Sequence, residues 1–188
     1  MTDWKDIRAL AIDIDGVMTR GDLLAFPDGT LLRSYNAKDT FALRMASMKG
    51  LRVAVITGAR GEAVIRRFTG LGVKPEDLYL NSSNKPADLG RFCDRTGLSP
   101  DRIAYVGDDL PDLPVMKLVG LSAAPSDAVP EVRNEADVVT EEKGGCGCVR
   151  SVVTRILKAQ GKWDFDPMEY SRSFSVTDTT PDKTASNG

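Results

Sequence analysis

Residues 7–14 form an apolar run, with Ile7, Ala9, Leu10, Ala11, Ile12 and Ile14, and the run ends in two carboxylates one residue apart, Asp13 and Asp15. Near-continuous hydrophobicity over so short a span reads as a strand buried on both faces, as inside a parallel sheet, and Gly16 begins the turn that stops it. Such a strand needs helices above and below it, so the rest of the chain should alternate. It does: strand-like runs at 53–56, 78–80, 103–106 and 120–124 are separated by helix-like segments at 38–49, 61–69, 86–96 and 149–157. Gly50, Gly70, Gly72 and Gly97 supply the helix stops. The fold class expected is α/β, a doubly wound parallel sheet. Between the first strand and the first helix, Pro27-Asp28-Gly29 separates Leu23-Leu24-Ala25-Phe26 from Thr30-Leu31-Leu32, a hairpin signal for a small β-flap over the end of the first strand. No stretch is long enough for an inserted second domain. Residues 1–163 are expected to form one domain, and 164–188 a polar tail, largely disordered, rich in Ser, Thr, Asp, Lys and Gly.

Several chemistries are excluded at once. The 188 residues contain no histidine, which removes Ser-His-Asp, Cys-His and His-ligated zinc sites and leaves carboxylate, lysine and hydroxyl chemistry. A formal net charge of −2 without a basic block argues against nucleic acid as a partner. No run approaches a membrane span, and Met1-Thr2-Asp3-Trp4-Lys5 is unlike a signal peptide. Three cysteines, an odd number, point to a reducing compartment, so a cytoplasmic location is expected. Two of them, Cys146 and Cys148, lie in a Gly-rich stretch that reads as turn rather than metal site, since no further ligands accompany them.

The polar residues that carry chemistry fall where strands should end, which in open α/β sheets is where ligands bind. Burying Asp13 and Asp15 there is costly unless a cation or donor compensates, although a pair of solvated turn aspartates has the same sequence. Thr57 and Gly58 close the second strand and can offer a hydroxyl and an N–H to phosphate oxygens. Lys85 sits at a helix start, where it could neutralise a phosphoryl group together with an attacking carboxylate. Gly107-Asp108-Asp109, with Asp112 following, concentrates negative charge that calls for a cation; an oxygen-rich, histidine-free set favours Mg2+ over zinc.

In this order Asp-x-Asp, strand-Thr-Gly, Lys and Gly-Asp-Asp resemble the haloacid dehalogenase superfamily of aspartyl-phosphate phosphotransferases. The segments Asn36-Ala37-Lys38-Asp39-Thr40 with Arg44, Gly107–Met116, 119–122, 137–140, 144–150 and 159–162 are similar to the capless 3-deoxy-D-manno-octulosonate 8-phosphate phosphatases, over about residues 7–163. The resemblance implies a phosphatase with a Rossmann-like core, a flap and no cap, acting on a phosphorylated sugar acid as a homotetramer. It implies Asp13 as nucleophile and Mg2+ ligand, and Asp15 as acid–base with its backbone carbonyl on the metal. Asp108 would be a further ligand, and Asp109 or Asp112 would orient water. Thr57 and Lys85 would complete the catalytic set. Asp15, Asn36, Lys38, Asp39, Thr40, Arg44, Gly58, Arg60, Arg67 and Lys85 would contact substrate. Thr40 replaces the family's usual glycine, and Ala59 the arginine that commonly follows Thr-Gly, with Arg60 one position later; both departures bear on the sugar more than on phosphoryl transfer. Phosphatases of nine-carbon sialic-acid-like 9-phosphates form a neighbouring alternative. A phospho-accepting receiver domain is the alternative from another class, although its phosphoacceptor sits alone at a later strand.

Overall fold

The structure, a computed structural model, describes residues 2–175. Its centre is strand β1 (Ala9–Ile12), every residue of which is buried. The pleat explains the two-sided hydrophobicity: Leu10 and Ile12 enter one core, Ala9 and Ala11 the other. β1 pairs in parallel with β4 (Arg52–Ile56) on one side and β6 (Ile103–Val106) on the other. With β5 (Leu78–Tyr79), β7 (Leu121–Ala124) and β8 (Val138–Val139) they form a six-stranded sheet in the order β5-β4-β1-β6-β7-β8. All five pairings are parallel. The strand order reverses between β1 and β6, so their carboxyl ends open a crevice where no crossover helix can lie.

One face is covered by α1 (Ala37–Met48), α2 (Glu62–Thr69) and α6 (Cys148–Ala159), which bury Leu43, Phe68, Val152 and Ile156 among others. The opposite face carries α3 (Lys85–Thr96), α4 (Leu113–Met116) and α5 (Pro130–Glu135), through Leu89, Phe92, Val115 and Val132. The expected doubly wound α/β sheet is therefore present. Above the sheet, β2 (Leu24–Ala25) and β3 (Leu31–Leu32) pair antiparallel as the small flap. Its turn is closed by Phe26 N–H to Thr30 O at 2.9 Å and by Asp28 accepting from Thr30 N–H at 2.9 Å. No cap domain is inserted.

Two stretches differ from the sequence expectation. β8 and α5 fall in a stretch given no element of its own, because two strand residues and a six-residue helix leave too little periodicity to read. The second difference concerns the tail, whose first part is ordered. Helix α7 (Pro167–Ser175) packs on α1, where Phe41, Phe165 and Tyr170 stack with centroids 5.4–5.9 Å apart. Lys49 also bonds Glu169 at 2.7 Å. Three aromatic rings are enough to dock a segment whose average composition is polar. The expectation of disorder further along, at 176–188, lies outside the described residues. Among those described, no helix is long and apolar enough to cross a membrane.

Candidate active site

The ends of β1, β4 and β6 and the start of α3 converge on a cavity of about 280 Å³. Asp13, Asp15, Thr57, Gly58, Lys85 and Asp108 all face it, drawn from four separate stretches of chain. Asp13 extends the β1 ladder, its N–H donating to Val106 O at 3.0 Å, so its side chain is aimed by the sheet rather than by a loop. Ile14 N–H donates to Asp13 Oδ1 at 2.7 Å, and Lys85 Nζ lies 3.0 Å from Oδ2. Burial pushes the Asp13 pKa up and the charge of Asp112 adds to this, while Lys85, the Thr57 hydroxyl and the Ile14 N–H pull it back.

Lys85 begins α3 behind Asn84, whose side chain accepts from Ala87 N–H at 3.1 Å. Its ammonium bridges Asp13 and Asp112, the latter at 2.6 Å. Burial disfavours this charge, but the two carboxylates outweigh it and hold the lysine pKa above its ordinary value. Asp112 is fully buried and saturated: Tyr105 OH donates to it at 2.6 Å, Asp108 N–H at 3.0 Å and Asp109 N–H at 3.3 Å. Asp109 also lines the cavity and accepts from Leu110 N–H at 2.8 Å.

Asp108 behaves differently. Burial, reinforced by Asp112, Asp13 and Asp109, pushes its pKa up to about 8. Its Oδ1 is buried with no hydrogen-bond partner. Carboxylate oxygens of Asp13, Asp108 and Asp112 lie within 4.8 Å of one another. An orphaned carboxylate oxygen inside an all-oxygen cluster fits a hard divalent cation, and Mg2+ best matches that donor set. Gly16 keeps the space open: a Cβ there would lie 1.9 Å from Asp108 Oδ2.

Asp15 is gripped by a residue that the sequence did not single out. Arg33, directly after β3, donates from Nε to Oδ1 at 2.8 Å and from Nη2 to Oδ2 at 2.9 Å. Tyr105 was likewise missed. A polar tip on a buried strand residue, one turn from an acid cluster, was the available signal.

The remaining candidates fall outside the cavity wall. Asn36 caps α1 by accepting from Lys38 N–H at 2.8 Å, and donates to Gly145 O at 3.1 Å. Asp39 accepts from Gly147 N–H at 2.9 Å and Arg150 N–H at 2.8 Å. Thr40 donates to Ala37 O at 3.1 Å, and Arg44 bonds Ser173 O at 3.0 Å and Gly70 O. Lys38, Arg60 and Arg67 are exposed; Arg67 lies 5.7 Å over the Tyr35 ring. Thr40, Arg44 and Arg67 instead line a second cavity of about 540 Å³ between α1, α2 and α7.

A profile of the haloacid dehalogenase-like hydrolase family matches residues 75–149. The chain is 40% identical over 164 residues to 3-deoxy-D-manno-octulosonate 8-phosphate phosphatase of Salmonella typhi, covering 87% of this chain and 86% of that protein. The chain belongs to the 3-deoxy-D-manno-octulosonate 8-phosphate phosphatase family of haloacid dehalogenase-like hydrolases. The family's solved structures agree. That of the Yersinia pestis phosphatase superimposes with a TM-score of 0.81 at 38% identity, over 85% of each chain. That of the Moraxella catarrhalis phosphatase, in complex with a magnesium ion, a phosphate ion and KDO, gives 0.81 at 30% identity, over 86% of this chain and 91% of that one. The chain is thus a phosphoric monoester hydrolase by family, and its acid cluster is of the kind that holds Mg2+.

Proposed function

We propose that the protein is a Mg2+-dependent phosphatase that converts 3-deoxy-D-manno-octulosonate 8-phosphate to the free sugar acid and phosphate. The observation that carries this reading is the convergence of Asp13, Lys85 and the orphaned Asp108 carboxylate in one cavity of a chain 40% identical to such phosphatases. Asp13 Oδ attacks phosphorus, the P–O bond to the sugar breaks, and Asp15 delivers a proton to the departing alkoxide. Water, losing its proton to Asp15, then cleaves the acyl phosphate and regenerates the Asp13 carboxylate. Lys85, the Thr57 hydroxyl and the Gly58 N–H take the phosphoryl oxygens. Asp13, Asp108 and the Asp15 carbonyl would hold Mg2+, which supplies neutralisation of the gathered negative charge.

The sugar carboxylate calls for cations beyond the phosphate pocket, and Lys38, Arg60 and Arg67 are exposed to provide them. Asn36, Asp39 and Arg44 act from behind, by fixing α1 against the loop before α6, the start of α6 and α7, and Thr40 bonds within α1. A second copy is proposed to complete the site within a tetramer, because the flap leaves Leu23, Leu24, Phe26, Leu31 and Leu32 exposed. Cytoplasm suits an enzyme with free cysteines at 93, 146 and 148.

The test is phosphate release by purified protein with Mg2+, run side by side on the eight-carbon 8-phosphate and a nine-carbon 9-phosphate. Multiple turnovers with higher kcat/KM on the former are expected. Asp13→Asn should abolish turnover with the fold intact; a variant that still turned over would remove Asp13 as nucleophile.

A further inference from the structure

The flap stands on little of its own. β2 and β3 contribute two residues each, and their side chains are exposed. A two-stranded hairpin is marginal in water without a packed face. Between residues 22 and 34, among the described contacts, one side chain forms a polar link to the body: Arg33, whose fork closes on both oxygens of Asp15. Its side chain is only 8% exposed, although the hairpin that carries it is open to solvent.

The dependence runs both ways. Asp15 lies on the turn after β1, outside the ladder that aims Asp13. Apart from Arg33, among the described residues, its carboxylate has only a long contact, 3.5 Å, from the Thr19 hydroxyl. It is also absent from the group formed by the Asp13, Asp108 and Asp112 carboxylates, so those acids do not orient it. An acid–base group must lie within hydrogen-bond reach of the leaving oxygen, and a misplacement of about 1 Å can cost about a hundredfold in rate.

We propose that Arg33 is the positioning residue for Asp15: its bidentate grip fixes the carboxylate's orientation and makes the seat of the flap and the aim of the acid–base group one degree of freedom. This rests on the phosphatase reading above. The geometry of the contact is specific to arginine, whose planar fork matches two carboxylate oxygens, whereas a lysine ammonium is a point charge that can satisfy the pair only in part.

The test compares wild type with Arg33→Met, Arg33→Lys and Arg33→Ala, with Mg2+ saturating. On 3-deoxy-D-manno-octulosonate 8-phosphate, Arg33→Met should lower kcat about tenfold to a hundredfold with KM little changed. Arg33→Lys should fall between, and added methylguanidinium should restore part of the Arg33→Ala loss. Without substrate, hydrogen exchange at residues 24–32 should accelerate in Arg33→Met while β1 and β6 stay protected. A kcat in Arg33→Met within about twofold of wild type would overturn the proposal. So would a rise in KM with kcat intact, which marks a substrate-binding residue, and so would unchanged exchange in the flap. Wild-type protein that hydrolysed no phosphate monoester would instead remove the phosphatase reading, while the exchange comparison would still decide whether Arg33 anchors the flap.

Discussion

Two aspartates four residues apart show how environment assigns roles to one side chain. Asp112 has every oxygen claimed, by Lys85, Tyr105 and two backbone N–H groups, and so acts as the keystone of the β6 loop. Removing it would deprive the buried Lys85 ammonium of one of its two carboxylates and leave a hydroxyl and two amides without an acceptor. Asp112→Ala should therefore cost about 3–5 kcal/mol in urea unfolding, with activity lost through the displaced Asp108. Asp108 is held in readiness for a cation, and its raised pKa makes that readiness measurable. In the folded protein it keeps its proton up to about pH 8, whereas an ordinary aspartate releases it near 3.8. Between those values the folded state binds a proton that the unfolded chain has lost, so this group makes metal-free stability fall as pH rises from about 4 to 8. Thermal melts in EDTA should show that decline, and Asp108→Asn should flatten it. Saturating Mg2+, which binds the ionised form, should raise the melting temperature most at the alkaline end.

At the scale of elements, the loop before α6 matters as much as the strands. Asp39 on α1 accepts from Gly147 and Arg150, two of the orphan N–H groups at the start of α6. Just before it, Gly145 N–H donates to Val17 O at 2.8 Å, and Gly144 lies so close to the turn after β1 that a Cβ on it would lie 1.8 Å from Gly16 O. Asp39, for which the resemblance implies a substrate contact, thus also fastens α1 to the start of α6, beside the loop that meets the turn carrying Asp15. Asp39→Ala should cost about 1–2 kcal/mol by chemical denaturation and lower kcat by loosening that turn. The sequence made the catalytic acids legible because each terminates a buried strand, a pattern that solvation alone does not produce. The role of Asp39 was hidden because its partners are backbone amides some 108 residues away, which no local pattern encodes. The bonds of Arg44 were hidden for a related reason. Its acceptors include Ser173 on α7, a helix whose aromatic anchors disappear in an average of polar composition. Arg33 gave no signal, since a basic residue after a hairpin looks the same whether it clamps a carboxylate or faces water.

For the whole molecule, topology explains why so small a protein can concentrate so much charge. The reversal of strand order between β1 and β6 places Asp13 and Asp108 side by side without any contribution from loop packing, and α3 brings Lys85 to the same point. The sheet and its two apolar cores hold this arrangement from below, leaving only the mouth unfinished. Over that mouth stands a flap with five large apolar side chains, from 42% to 62% exposed. Nothing among the described residues covers them, and so many large apolar side chains exposed on one small hairpin mark an interaction site. A second copy is the partner in the tetramer proposed above, and the flap's exposed leucines make the interaction testable without touching the acids. Leu24 and Leu32 face one another across the hairpin, so opposite charges at the two positions disrupt an apolar interface while still pairing favourably across the strands. Leu24→Asp with Leu32→Lys should shift the protein from tetramer toward smaller species in sedimentation, with the melting temperature of the core little affected. If neighbouring flaps help to complete the site, KM for the sugar-acid phosphate should rise in step with dissociation, whereas hydrolysis of a small aryl phosphate should persist. A double variant that stayed tetrameric would show that the flap is not the contact.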